Sequence, residues 1–317
     1  MPLNEPPTKA SSPNRLIPWL QLLRISAAPS AISNILVGFL IVQGGWTPVA
    51  PVLLLVLSSV CLYSAGMVSN DLFDLKLDQQ HSRKRPLVTG TIGFHEARTL
   101  CVSLFIAGLG LAACVSFRSW IITLFLTTTI LLYNGPLKKT LAGPIMMGVC
   151  RSLNLLLGAS YLAQSQLVQN DLLGWPIYVW WISISLGVLI TGLTLFAKNE
   201  SQTNARTPLV VGTIIILTGM AGFAMTQCSM ETKAVDLQIF PILILLIACP
   251  VILRLVLSIQ SCQPQRIQFA VISLLKSLIV FDASFCLLFG QPNLIYPLTV
   301  LCLLIPSILL GKWISPT

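Results

Sequence analysis

Long apolar stretches separated by short polar segments run through nearly the whole chain. A helix needs about 20 apolar residues to cross the hydrocarbon core of a membrane, and by this measure the pattern predicts ten spans. They cover residues 17–43, 47–69, 96–115, 118–133, 143–164, 175–197, 208–226, 238–258, 267–290 and 294–312. The pattern therefore predicts an all-α, polytopic membrane bundle.

The composition excludes an ordinary soluble domain. Of the 317 residues, 55% are hydrophobic and 9% are charged, whereas about 25% of the residues of a soluble domain are charged. Residues 1–16 are polar and rich in proline, and we expect them to form a disordered cytosolic tail without a signal peptide. Residues 17–317 are expected to form a single transmembrane domain. The nine cysteines show no metal-ligand spacing and are expected to be buried apolar residues.

The basic residues predict the orientation of the bundle. The net charge is +9, but it does not indicate nucleic-acid binding. Nearly all lysines and arginines outside the spans precede the first span or lie in the even-numbered loops, while the alternate loops hold only Arg118 and Lys233. By the positive-inside rule, both termini are cytoplasmic if there are ten spans. We expect the membrane to be the inner membrane of a bacterium.

The densest group of polar residues lies where the second span ends. On a helix that turns about 100° per residue, Asp74, Asp78 and Asp71 lie about 40°, 80° and 100° from Asn70, so all four share one face. Three like charges on one face repel each other unless a cation neutralises them. Because Mg²⁺ prefers oxygen ligands, we predict a metal site at Asp71, Asp74 and Asp78. The alternative is a solvated polar helix end beside a basic loop.

This group of residues also carries a resemblance to a known family. The string Asn70-x3-Asp74-x3-Asp78, followed by Arg85-Pro86-Leu87 and Gly90, resembles the first aspartate-rich motif of the UbiA superfamily of intramembrane prenyltransferases. Residues 20–40 resemble the first helix of that family, and residues 133–139 resemble its Tyr/Pro/Lys cytosolic loop. Residues 143–158 look like the fifth helix of the UbiA-like EboC branch, which the short gap between Asp78 and Arg85 also fits.

The resemblance implies a fold and a reaction. The fold is an all-α bundle, usually of nine helices, around a central cavity that opens toward membrane lipid. The reaction is the Mg²⁺-dependent transfer of a prenyl group from a prenyl diphosphate to an aromatic or other small acceptor. The catalytic residues would be Asn70, Asp74 and Asp78.

Basic and amide side chains elsewhere are candidates for binding the diphosphate or the acceptor, because arginine suits phosphate well and a charge inside a span tends to face a cavity or a partner. These candidates are Arg83, Arg85, Lys138, Lys139, Arg151, Asn154, Lys198 and Arg206. The loop residues among them could instead serve only to orient the helices in the membrane. Arg151 could instead form a structural pair with an acid. Lys276 and Asp282, inside the ninth span, are expected to make structural contacts in the bundle interior.

The chain departs from the family at the second aspartate-rich motif. There it has Lys198-Asn199-Glu200-Ser201-Gln202, which contains a single carboxylate, so the usual two-metal site cannot form. Two functions remain open. One is a transferase that uses one Mg²⁺ together with Lys198 and Arg206. The other is a non-catalytic relative that binds or transports an isoprenoid or a precursor. The sequence pattern of CDP-alcohol phosphotransferases is absent.

A short repeat predicts how the two halves of the chain meet. The string Arg85-Pro86-Leu87-Val88-Thr89-Gly90 follows span two, and a similar string, Arg206-Thr207-Pro208-Leu209-Val210-Val211-Gly212, follows span six. Paired segments of this kind often face one shared site, although strings this short can also coincide by chance. We therefore predict that Asp74 and Glu200 lie on the rim of a common pocket.

Overall fold

The computed structural model of the protein describes residues 16–81, 85–161, 174–198, 206–226, 239–290 and 293–313. The regular elements of these residues are all helical, which confirms the predicted class. The helices are α1 (Leu16–Leu22), α2 (Ala28–Gln43), α3 (Val49–Gln80), α4 (Phe94–Ala113), α5 (Phe117–Leu132), α6 (Ala142–Gly158), α7 (Ile177–Ala197), α8 (Arg206–Ala224), α9 (Ile239–Ser261), α10 (Pro264–Phe289), α11 (Ile295–Cys302) and α12 (Leu304–Trp313). A 3-10 turn at Ile25–Ala27 precedes α2, and a π turn at Tyr133–Leu137 follows α5.

The helices agree with a membrane bundle of nine or ten spans. In the described part of the chain, nine helical segments are long and apolar enough to cross a membrane, and α6 is a further apolar helix of 17 residues. The protein is therefore a multi-pass membrane protein. Residues 1–15 of the predicted tail lie outside the described residues.

Four predicted spans differ from the structure in continuity or by more than three residues; one of them, the fifth, ends at Gly158 and not at residue 164. The first span is interrupted at Arg24, which has a φ of 45°, and α2 begins again with Pro29 in its first turn, where proline is well tolerated. The second span continues to Gln80, because the acidic side chains beyond residue 69 have basic partners and do not end the helix. The tenth span is divided between α11 and α12.

Glycines allow α6 to approach its neighbours closely. A Cβ atom on Gly158 would lie 2.4 Å from the backbone oxygen of Ile35 in α2, and one on Gly148 would lie 2.3 Å from the backbone oxygen of Gly187 in α7. Small residues at helix crossings are the usual means of close packing in membranes. The crossings hold α6 against α2 and α7, and Arg151 and Asn154 project from the side of α6 that faces α2 and α3.

Candidate functional site at the end of helix α3

The four polar residues at the end of α3 form two separate groups. The Asn70 and Asp74 side-chain oxygens both accept hydrogen bonds from the ammonium group of Lys138. Asp78 accepts a hydrogen bond of 2.5 Å from Arg85, which also bonds to Asp71 at 3.1 Å. Asn70 and Asp74 thus share the ammonium group of Lys138, whereas Asp71 and Asp78 share the guanidinium group of Arg85.

The Asp71–Arg85–Asp78 group joins three segments of the chain. The three side chains are only 5%, 11% and 2% exposed, in that order. Arg24 reaches the same Asp71 oxygen at 3.2 Å, and thereby ties the break between α1 and α2 to α3. This group fixes the segment after residue 85 and the start of α2 around the end of α3.

Lys138 is positioned by the π turn that follows α5. Asn134 in this turn is buried, and its amide nitrogen donates to the backbone oxygen of Gly66 at 2.9 Å and to the hydroxyl of Ser69 at 2.6 Å. These bonds hold the turn against α3. The next residues of the chain therefore pass over the end of α3, where Lys138 meets Asn70 and Asp74.

A cavity of about 160 Å³ lies beside this cluster, between α3, α5 and α6. Most of its wall is apolar and includes Leu62, Met67, Leu126, Ile130 and Met147. Its polar lining residues include Arg24, Tyr63, Asn70, Tyr133, Asn134, Arg151 and Asn154. Such a site accommodates an apolar chain with a polar group at its end. We call it the central cavity.

Two of the predicted binding residues line the central cavity from α6. Arg151 donates to the side-chain oxygen of Asn34 at 3.3 Å and to the hydroxyl of Ser30 at 3.0 Å. The Asn154 side-chain oxygen accepts from Ser59 at 2.6 Å. Both residues are thus held by neighbouring helices while they border the cavity.

A second recess, which we call the lysine pocket, lies beside Lys138. It has a volume of about 270 Å³ and is lined by Lys138, Lys198, Tyr133, Thr194 and others. The Lys198 ammonium is 3.4 Å from the backbone oxygen of Thr140. This contact joins the end of α7 to the segment before α6. The predicted common pocket of Asp74 and Glu200 stays a prediction, because Glu200, with the rest of 199–205, lies outside the described residues.

The other predicted residues are not brought into these contacts. Lys139 and Arg206 are exposed, and Arg83 lies outside the described residues. Sequence reasoning did not include Arg24, Tyr63, Asn134 or Asn34 among the candidate site residues. Asn34 and Asn134 carried a usable signal, because an amide within or at the end of an apolar span needs a polar partner.

Asn70 and Asp74 are candidate ligands for a divalent cation. Both residues present hard oxygen atoms, which Mg²⁺ prefers, and both already bond to a single positive charge, that of Lys138. In the described part of the chain, no three His, Cys, Asp or Glu side chains lie close enough together to hold a metal. The three-carboxylate metal site at Asp71, Asp74 and Asp78 remains a prediction.

Comparison with known families decides what kind of bundle this is. The UbiA prenyltransferase family matches residues 31–278. The chain belongs to the UbiA prenyltransferase family. The matched range includes the acidic end of α3, the segment 133–139 and α6, and it confirms the family resemblance drawn from the sequence.

Curated relatives within the UbiA family match part of the chain. A digeranylgeranylglyceryl phosphate synthase of Saccharolobus solfataricus is 27% identical over 141 residues, which are 44% of this chain and 50% of the relative. The synthase of the same name from Methanocaldococcus jannaschii is 33% identical over 100 residues, which are 31% of this chain and 35% of the relative. The chain thus spans about half the length, or less, of these relatives.

Solved UbiA structures share the fold over most of the chain. A UbiA homologue from Aeropyrum pernix K1 superposes with a TM-score of 0.64 at 16% identity, covering 82% of this chain and 97% of the homologue. A UbiA homologue from Archaeoglobus fulgidus bound to GPP and Mg²⁺ gives a TM-score of 0.59 at 16% identity, covering 90% and 99%. At this identity the likeness establishes the fold alone.

Proposed function

We propose that this protein transfers a prenyl group from a prenyl diphosphate to a small acceptor inside the central cavity. The observation that carries the proposal is the position of the Asn70 and Asp74 oxygens, which share one cation beside an apolar cavity. The relatives support it, because they are named digeranylgeranylglyceryl phosphate synthases and one homologue of the same fold was solved with GPP and Mg²⁺.

Asn70 and Asp74 would hold Mg²⁺ in this function, and the bound ion would neutralise the departing diphosphate. Lys138 would give up its bonds to this oxygen pair and bind the diphosphate instead. Lys198 lines the lysine pocket next to Lys138 and would add a second ammonium group there. This arrangement uses one metal ion, with two lysines in the region where the second acidic motif is missing.

The wall of the central cavity would protect the reaction from water. Its apolar residues, such as Leu62, Ile130 and Met147, pack around the prenyl chain and exclude solvent. The C1–O bond of the prenyl diphosphate breaks, and its electron pair leaves with the diphosphate. The acceptor then forms a bond to C1 and releases a proton, so that diphosphate and the prenylated acceptor are the products.

We also propose the finer assignments that the sequence suggested. The short interval between Asp78 and Arg85 supports a place near the EboC branch. The distribution of basic residues supports a cytoplasmic position for both termini and for the acidic end of α3. The proposed membrane is the inner membrane of a bacterium, and the proposed transmembrane domain is residues 17–317.

The test is a transfer assay with the purified full chain in lipid vesicles. Radiolabelled geranyl diphosphate and Mg²⁺ are supplied with a total lipid extract as the source of acceptors. We expect the parent to form a labelled product and the Asp74→Asn variant to form none. Binding of geranyl diphosphate without any product would support the non-catalytic alternative, and the absence of binding would refute the proposed site.

A further inference from the structure

We propose that a basic patch on the outer surface of helices α9 and α10 binds the headgroup of an anionic phospholipid. The patch consists of Arg254, Arg266 and Lys276, with Ser273 and Phe269 between them. None of these residues lines the central cavity or the lysine pocket. The inference therefore concerns a different part of the molecule and does not rest on the proposed function.

Most of the patch lies on one face of α10. On a helix that turns about 100° per residue, Arg266, Ser273 and Lys276 all lie within about 60° of Phe269. Arg266 and Phe269 are exposed, and Ser273 and Lys276 are half-buried. Because α10 is apolar and long enough to cross a membrane, this face is turned toward lipid over most of its length.

The two charged residues inside the ninth predicted span face different sides of α10. Asp282 makes the structural contact predicted for it in the bundle interior, because it is 4% exposed and accepts hydrogen bonds from Ser33 and Asn34 in α2. Lys276, for which an interior contact was also predicted, lies about 120° around the helix from Asp282. Lys276 instead shares the outward face with Phe269.

Arg254 adds a positive charge to this face from α9. Its guanidinium group donates a hydrogen bond to the hydroxyl of Ser273 and lies 4.8 Å from the centre of the Phe269 ring. Phe269 is 60% exposed, so the guanidinium group lies at the outer surface of the two helices. A guanidinium group has five N–H donors, and these contacts use only part of it.

The direction of helical side chains brings Lys276 toward Arg254. A long side chain on a helix leans toward the N-terminus of that helix, and α10 begins at Pro264. The ammonium group of Lys276 therefore leans toward Ser273, which is the residue that Arg254 contacts. The result is a place on the outer surface where one phosphate group can accept hydrogen bonds from a guanidinium and an ammonium group.

The basic residues of this region have little opposing charge. Residues 239–290 contain three basic residues and a single acid, Asp282, whose carboxylate is bound to α2. In the part of the chain that the structure describes, the ion pairs all lie elsewhere. A charge inside a span is costly and is retained where it meets a partner or a ligand. Basic pockets between membrane helices bind anionic lipid headgroups in this way.

The position of the patch along the helices suits a lipid better than a soluble anion. The hydroxyl of Ser258 donates to the backbone oxygen of Arg266 at 3.1 Å, so the end of α9 packs against the start of α10. Lys276 is ten residues further along α10, about 15 Å at about 1.5 Å per residue. Exposed Leu257 and Ile272, at 40% and 42%, provide apolar surface nearby for the acyl chains.

Native mass spectrometry of the full chain in detergent tests the preference for an anionic headgroup. Phosphatidylglycerol and phosphatidylcholine with the same acyl chains are titrated separately, and the ratio of their dissociation constants is compared between variants. We expect the parent to prefer phosphatidylglycerol. Arg254→Gln and Lys276→Gln should each reduce this preference by about fivefold, whereas Arg98→Gln, which removes an exposed arginine of α4, should leave it unchanged.

Two results of this titration would overturn the proposal. One is a parent that binds the two lipids equally well. The other is a preference that stays at the parent value in both Arg254→Gln and Lys276→Gln. Arg254→Lys keeps the positive charge and should retain more of the preference than Arg254→Gln, and equal losses in these two variants would show that charge at this position does not attract the lipid.

A labelling experiment on the unmodified chain locates the lipid without any substitution. The protein is placed in vesicles that contain phosphatidylglycerol with a photoactivatable diazirine near its headgroup, and the crosslinked peptides are identified by mass spectrometry. We expect the label on peptides from residues 254–276. Labelling confined to other helices would overturn the proposal even if a variant failed to fold.

Competition distinguishes a lipid from a soluble phosphate. Glycerol 3-phosphate carries a phosphate group but no acyl chains, so at millimolar concentration we expect it to leave the labelling of residues 254–276 unchanged. Complete loss of the label would assign the patch to a soluble anion and overturn the lipid proposal. None of these measurements requires prenyl transfer, so their failure would leave the proposed function untouched.

Discussion

Replacement of Arg85 by methionine should destabilise the protein, because the structure uses this side chain to join two buried carboxylates. Arg85 is 11% exposed, and its partners Asp71 and Asp78 are 5% and 2% exposed. Removal of one partner from a buried ion pair costs about 3–5 kcal/mol. Since Asp71 keeps its bond to Arg24, we expect a loss near the lower end, about 3 kcal/mol.

The assay is the free energy of unfolding in mixed micelles, measured by denaturant titration. Arg98→Met serves as the control, because Arg98 is an exposed arginine in α4 and its loss should change stability by less than about 0.5 kcal/mol. The double variant Arg85→Met/Asp78→Asn should recover part of the loss, because the neutral amide no longer needs a counter-charge.

One result would refute this reasoning. If Arg85→Met is as stable as the parent but has lost Mg²⁺-dependent binding of geranyl diphosphate, then Arg85 binds the diphosphate, as the sequence predicted. A stable variant with unchanged binding would show that neither role is correct. The expected result, a large loss of stability, assigns Arg85 to holding the end of α3 in place.

Three further predictions concern the lysines and the helix crossing. Lys138→Met removes the cation that bridges the Asn70–Asp74 pair, so Mn²⁺ should bind more tightly in the absence of diphosphate, as measured by electron paramagnetic resonance; weaker Mn²⁺ binding would contradict this. Lys198→Ala should weaken the binding of inorganic diphosphate several-fold in calorimetry, with one Mg²⁺ bound per diphosphate, and two bound metal ions would contradict the one-metal site. Gly148→Ala should destabilise the bundle by about 1–3 kcal/mol in thermal unfolding, because a Cβ there would lie 2.3 Å from a backbone oxygen of α7. Gly110 faces open space, so Gly110→Ala should not have this effect. Equal stability of the two variants would refute the close crossing.

The sequence predicts the helices well because each apolar span is a local property of the chain. Hydropathy alone would end the second span near residue 69, but the helical face that joins Asn70 to Asp78 predicts the continuation that the structure shows to Gln80. The break at Arg24 was not predicted, because it depends on the contact of that side chain with Asp71 and not on a local signal.

The candidate site depends on contacts that a single sequence does not reveal. Asn70, Asp71, Asp74 and Asp78 share one face of α3. Their division into two groups follows from Lys138 and Arg85, which come from other segments of the chain. The bond between Asn34 and Asp282 joins residues 248 positions apart. Asp282 was expected to make a structural contact, and its link to Arg151 became visible only once α2, α6 and α10 were placed together.

The most direct test of the central claim is equilibrium binding of radiolabelled geranyl diphosphate, with and without Mg²⁺, to the parent, Asp74→Asn and Glu96→Gln. Glu96 is an exposed carboxylate at the start of α4 that accepts a hydrogen bond from the backbone of Gly93, which glutamine can also accept. The account predicts Mg²⁺-dependent binding in the parent and Glu96→Gln, and a loss of at least about tenfold in Asp74→Asn, because the cation site loses a charged ligand. Equal, metal-independent binding by all three proteins would contradict it.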